Sequence, residues 1–119
     1  MTTETAADTG TGSTDEPQHV DGTAELDALV ADSDVVLTDF YADWCGPCQM
    51  IEPIVERLAA ETDATVAKVD VDANQELAAA YGVRGVPTLV LFADGEQVEE
   101  IVGMQGEEQL RSLIDRYTN

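Results

Sequence analysis

Lysine occurs once in this chain of 119 residues, as Lys68, and only four arginines accompany it. Against these five basic side chains stand 25 acidic ones, for a formal net charge of -20. Such a surface repels nucleic acid and anionic membranes, so neither is expected as a partner. Self-repulsion of this size also loosens a compact state at low ionic strength. At 1 M salt the Debye length shrinks to about 3 Å and the penalty is screened away. An acid excess spread over the whole chain, with lysine nearly absent, predicts adaptation to a very salty cytoplasm, as in a halophilic microbe. The plainer alternative is an ordinary acidic surface.

Other absences narrow the class. The opening Met1-Thr2-Thr3-Glu4-Thr5 holds neither a basic residue nor an apolar run, so it does not match a secretory signal. No apolar stretch approaches the roughly 20 residues that span a bilayer. A soluble, cytoplasmic protein is expected, monomeric by default. Histidine occurs once, as His19, and cysteine twice, as Cys45 and Cys48. In a reducing compartment, two cysteines three apart point to redox catalysis or metal binding more than to a structural staple. Zinc takes four ligands, often two such pairs or a pair with histidines. One pair and one remote histidine leave metal binding unfavoured, and a lone histidine is seldom a ligand.

What is present fits one globular domain. The hydrophobic fraction is 44 %, typical of a folded chain, and the length allows a single core. Residues 1–20, rich in Thr, Asp, Gly and Ser, show no apolar period and are expected to form a disordered acidic tail. Residues 21–119 form the expected domain. Leu26, Leu29 and Val30 have helical spacing, and Val35 to Phe40 is a compact apolar run suited to a strand buried on both faces. Ile51, Ile54, Val55 and Leu58 recur at i, i+3, i+4, i+7, the stripe of a helix packed on a sheet. Pro53 interrupts that stripe and is expected to kink the helix by clashing with the Gln49 carbonyl. Thr65 to Val71 predicts a second strand, and Leu77, Ala80 and Tyr81 a helix stopped at Gly82. Thr88 to Phe92 predicts a third strand. Asp94-Gly95 is a hairpin turn into a strand near Val98 to Val102. Leu110, Leu113, Ile114 and Tyr117 line one face of a last helix. Strand–helix–strand units imply parallel pairing, and the hairpin adds an antiparallel edge. The fold class is α/β, a mixed central β-sheet with helices on both faces.

Trp44-Cys45-Gly46-Pro47-Cys48 falls between the first strand and the helix after it. Pro47 suits a first helical turn, where its missing N–H has no partner to lose. Cys45 then lies at the helix N-terminus and Cys48 one turn on, on the same side. That spacing predicts a Cα separation within the roughly 4.4–6.8 Å a disulfide needs. Unpaired N–H groups and the helix dipole favour an anion at the N-terminus, which lowers the pKa of Cys45. Cys45 is expected as the exposed nucleophile, with Cys48 tucked against the helix and acting second. Asp39 leaves two readings open. Buried among Val, Leu and Phe, its pKa rises towards neutrality and it can take a thiol proton; at a strand end it faces solvent or caps a turn.

The motif resembles the signature of the thioredoxin family. The likeness continues through Pro53, Lys68, Gly85-Val86-Pro87-Thr88, Phe92, Asp94-Gly95 and Gly103, and covers roughly residues 20 to 119. It implies the thioredoxin fold and thiol–disulfide exchange with disulfide-containing protein substrates, recharged by a thioredoxin reductase. No bound cofactor is implied, because the cysteines are the redox centre. The resemblance also implies that Asp39 lies behind Cys48 and helps deprotonate it, with Lys68 near that Asp; by itself Lys68 is a solvated strand lysine. A bond before proline is cis in only about 5–6 % of cases, yet the resemblance implies a cis Val86–Pro87 facing the cysteines. Trp44, Gly46, Pro47, Val86, Pro87 and Gly103 are then expected to edge a shallow substrate groove, although turn chemistry alone explains a glycine at 103. Gln49 and Tyr41 depart from the family pattern, where many members carry a basic residue and a Trp. The missing positive charge beside Cys48 removes a little thiolate stabilisation. Two rival readings remain: a non-catalytic subunit of this fold, which requires neither cysteine nor Asp39, and an oxidase or isomerase, which the Gly-Pro dipeptide does not favour.

Overall fold

The computed structural model describes residues 15–118. Nine elements follow in order: β1 (Gln18–His19), α1 (Thr23–Asp32), β2 (Val35–Tyr41), α2 (Gly46–Glu61), β3 (Thr65–Asp70), α3 (Gln75–Ala80), β4 (Thr88–Ala93), β5 (Glu96–Val102) and α4 (Glu107–Thr118). The strands form one mixed sheet in the order β1-β3-β2-β4-β5. None of the described helices is long and apolar enough to cross a membrane.

Alternation along the strands builds two apolar layers. Val35 and Leu37 of β2, Val66 of β3 and Leu89 and Leu91 of β4 point to one face, where Ile51, Val55 and Leu58 of α2 and Leu110 and Ile114 of α4 cover them. Val36, Phe40, Ala67, Val69, Val90 and Phe92 point to the other, against Leu26 and Val30 of α1 and Leu77 of α3. Each such aliphatic or aromatic side chain taken fully out of water stabilises the fold by about 1.5–3 kcal/mol. The central strand β2 is buried on both faces from Val35 to Phe40, as its unbroken apolar run predicts. The α2 helix runs through Pro53 without ending.

Two expectations need correction. The end of the expected tail belongs to the sheet: Gln18 and His19 pair in parallel with Ala67 and Lys68, and Val20 beyond them is buried. A strand of two residues is too short to show a period of two. Residues 1–14 of the expected tail lie outside the described residues. The second correction concerns direction. β2 and β3 are parallel, but β4 runs antiparallel to β2, so the unit β3-α3-β4 is not a parallel one. The six residues of α3 span about 9 Å, too little to carry the chain back along a strand of about 20 Å. At the hairpin, Asp94 and Gly95 both take positive φ, 53° and 86°, as a turn matched to the strand twist requires.

Candidate active site

Position along β2 places a carboxyl in the interior. Asp39 continues the series Val35, Leu37, and so points into the layer between sheet and α2 rather than to solvent. It is 1 % exposed, and both carboxylate oxygens are buried without a hydrogen-bond partner. Of its two sequence readings, the buried one holds. Burial pushes its pKa from 3.8 up to about 7; Lys68 pulls it down and Glu52 pushes it up. Half-ionised near neutrality, such a group can accept a proton and give it back.

Lys68 faces Asp39 in register across β2 and β3 and is 4 % exposed. Its Nζ nevertheless pairs with Glu52 Oε2 at 2.6 Å and lies 4.4 Å from the centroid of the Tyr41 ring. An isolated ammonium in this position costs several kcal/mol of desolvation, which the carboxylate and the ring face offset. Lys68 is therefore a buried, paired cation and not a solvated strand lysine.

The cysteines stand where β2 passes into α2. Cys45 is the N-cap of that helix, with Pro47 in its first turn. The two are joined as a disulfide with Cα atoms 5.3 Å apart, within the expected range. The Cys48 N–H donates to Cys45 Sγ at 3.1 Å, so an orphan amide of the helix start is aimed at the sulfur that would carry negative charge. The expected difference in exposure is not present in this state: each cysteine is 3 % exposed. Ala42 packs with both, and Tyr41, Val71 and Val86 cover the cluster.

Around the disulfide the expected groove residues come together in part. Val86 packs on the cysteine cluster, and the Val86–Pro87 bond is cis. The Gly103 N–H donates to the Pro87 carbonyl at 2.8 Å, tying the end of β5 to this loop. Gly103 has φ 90°, which a side chain would strain. Trp44 is 70 % exposed, and its Nε1–H donates to Asp72 Oδ2 at 2.8 Å. Gly46 and Pro47 are exposed. Gln49 donates from its side-chain amide to the Asp43 carbonyl at 3.0 Å.

Three residues escaped the sequence reading: Glu52 as partner of Lys68, Asp72 as acceptor for Trp44, and Tyr41 as a wall over the ammonium. Glu52 had only a partial signal, its place four residues after Cys48 on the same helix side, which does not single it out as the partner of Lys68. Asp72 and Tyr41 had none.

A disulfide between two cysteines three apart at the head of a helix, on a sheet of this strand order, marks a thiol–disulfide oxidoreductase. Comparison with known proteins agrees. The profile of the Thioredoxin family matches residues 18–116. Thioredoxin of Staphylococcus aureus is 46 % identical over 96 residues, 79 % of this chain and 91 % of the relative. Among solved structures, a mutant thioredoxin from Halobacterium salinarum NRC-1 is 70 % identical, with TM-score 0.89, covering 92 % of this chain and 97 % of that one. The thioredoxin of Fasciola hepatica is 40 % identical, with TM-score 0.79, over 85 % of this chain and 99 % of that one. The chain belongs to the thioredoxin family.

Proposed function

We propose that this protein reduces disulfides in other proteins by a two-step exchange in which Cys45 attacks and Cys48 resolves. The Cys45 thiolate bonds to one substrate sulfur, breaking the substrate disulfide and releasing one substrate thiolate. Cys48 then loses its proton to Asp39 and bonds to Cys45 Sγ, which breaks the mixed disulfide and releases the second thiolate. The two released thiolates take up protons. Two electrons have passed to the substrate, and the Cys45–Cys48 disulfide remains. The observation that carries this reading is the Cys48 amide aimed at Cys45 Sγ at the start of α2.

Trp44, Gly46, Pro47, Val86, Pro87 and Gly103 are the groove that receives an extended substrate segment, and the Val86 backbone pairs with it. A thioredoxin reductase returns the electrons. The protein works as a cytoplasmic monomer in concentrated salt, without nucleic acid or membrane partners. The net charge of -20 supports the saline setting, as does the likeness to a Halobacterium salinarum thioredoxin.

The test is insulin reduction by dithiothreitol in concentrated KCl. Wild type accelerates the reaction strongly. Cys45→Ser abolishes the acceleration, and Cys48→Ser accumulates a mixed disulfide through Cys45. A folded wild-type protein without acceleration sinks the proposal and brings the non-catalytic subunit forward.

A further inference from the structure

The layer beneath Cys48 holds three charged groups in an arrangement that simple pairing does not explain. Asp39 and Lys68 are register partners on neighbouring strands and point to the same face. Both are almost wholly buried. Buried opposite charges in that relation ordinarily pair, because each otherwise bears an uncompensated desolvation cost. Here they do not: the carboxylate oxygens of Asp39 have no partner, and the ammonium goes to Glu52. Glu52 reaches it from α2, with its own side chain 44 % exposed. A carboxylate with access to water thus holds a buried cation away from a carboxyl without such access.

Two of the three, Lys68 and Glu52, line an opening. A cavity of about 190 Å³ is bounded by Cys48 and Gln49, Glu52 and Lys68, and Tyr41 and His19, among others. Lys68 and Glu52 therefore stand beside Cys48 as well as beside Asp39. The other elements packed on this layer bring no further charge to it. Leu89 and Leu91 face it from β4, and Leu110 and Ile114 from α4. Tyr41 on β2, His19 on β1 and the exposed Asp43 just after β2 are the remaining titratable groups at the cavity, and the Tyr41 and His19 side chains meet at 3.5 Å.

We propose that Glu52 is a positioning residue for the exchange reaction: it keeps the only lysine engaged at the cavity, so that Asp39 has no direct ion-pair partner and stays free to take the proton of Cys48. This rests on Asp39 serving as the base in the proposed function. A direct Lys68–Asp39 pair would fix Asp39 as a carboxylate and make it a poor proton acceptor. Glu52 prevents that pair from forming, and its own charge near Asp39 works in the same direction.

Two measurements on full-length protein in concentrated KCl test it. The first is the titration of the Asp39 carboxyl carbon by NMR in oxidised protein, where the cysteines do not titrate. Wild type is compared with Glu52→Gln, Lys68→Gln and the double variant. Glu52→Gln frees the ammonium to turn to Asp39, and the proton affinity of Asp39 falls about tenfold. In the Lys68→Gln background the same change has a much smaller effect, since only the direct influence of the Glu52 charge is left. Equal shifts in both backgrounds, or none in either, overturn the proposal. The second measurement is the pH profile of mixed-disulfide resolution. Its acid limb moves to lower pH in Glu52→Gln by the amount seen in the titration, which a purely structural role would not produce. If that limb is indifferent to both Glu52→Gln and Asp39→Asn, the base reading of Asp39 falls. The NMR comparison then decides by itself whether Glu52 holds Lys68.

Discussion

The same helix, α2, makes ion pairs at both of its ends, and the two sets differ in what lies beneath them. Near its C-terminal end, Arg57 bonds Glu107 at 2.7 Å, and Arg111 bonds Glu107 at 2.8 Å and also Glu61, so that α2 and α4 are strapped together from outside. Near its start, Glu52 holds Lys68 at 2.6 Å. The distances are alike. In the outer set, however, every charge can return to water if its partner is removed, and salt screens what remains. In the inner set Lys68 has no water to return to, and a third group, Asp39, shares its field. The comparison teaches that an ion pair's consequence is set by the burial of its members and by what else they reach, not by its length.

Asp39→Asn sharpens the contrast most. The carboxyl has a native pKa of about 7 against an ordinary 3.8, so the folded state holds this proton more tightly than the unfolded one. Ionisation therefore costs stability as pH rises from 3.8 to about 7, and the full cost persists above that. Urea denaturation should show the Asn variant more stable by up to about 4 kcal/mol on the alkaline side. The gain should vanish below the ordinary value. A gain of equal size at both ends of the range would mean the effect is not electrostatic.

Lys68→Met comes next. It removes the one cation that lowers the Asp39 pKa, so Asp39 should titrate above about 7. Less of it is then ionised at neutral pH, and disulfide reduction there should slow by about tenfold for each unit of displacement. The rate should recover in more alkaline buffer. A loss that no pH restores would argue for damage to the fold instead.

Glu107→Gln should have the smallest effect and test the outer strap. Hydrogen bonds from Arg57 and Arg111 hold this carboxyl down at about 2, below its ordinary 4.5. Its contribution is present above 4.5 and is lost as pH falls through about 2. A modest drop in thermal midpoint is expected at neutral pH and low salt, disappearing in concentrated KCl, with insulin reduction unchanged. A drop that survives the salt would place this network in the same class as the inner pair.

The elements legible in the sequence were those whose burial leaves a period. β2 and β3 are covered on both faces and show apolar runs, and α2 shows its stripe at Ile51, Val55 and Leu58. β1 was not legible, because two residues carry no period. The direction of β4 was not legible either, because alternation is the same whichever way a strand runs. Within the site, the Cys45–Cys48 pair follows from local helix geometry and could be derived from spacing alone. The Lys68–Glu52 pair joins residues 16 apart across two elements. No local rule selects Glu52 over the other carboxylates of an acidic chain. The burial of Cys45 likewise depends on Val71 and Val86, which are distant in sequence.

Trp44 is the only tryptophan in the chain. It adjoins Cys45, stands 70 % exposed and is held by Asp72. Indole emission from this protein therefore has a single origin, next to the bond that opens and closes. Any change in that emission on reduction is a signal from the redox centre with no background from elsewhere in the fold. The molecule thus contains its own optical gauge of how much of it is oxidised, readable during turnover and without a label.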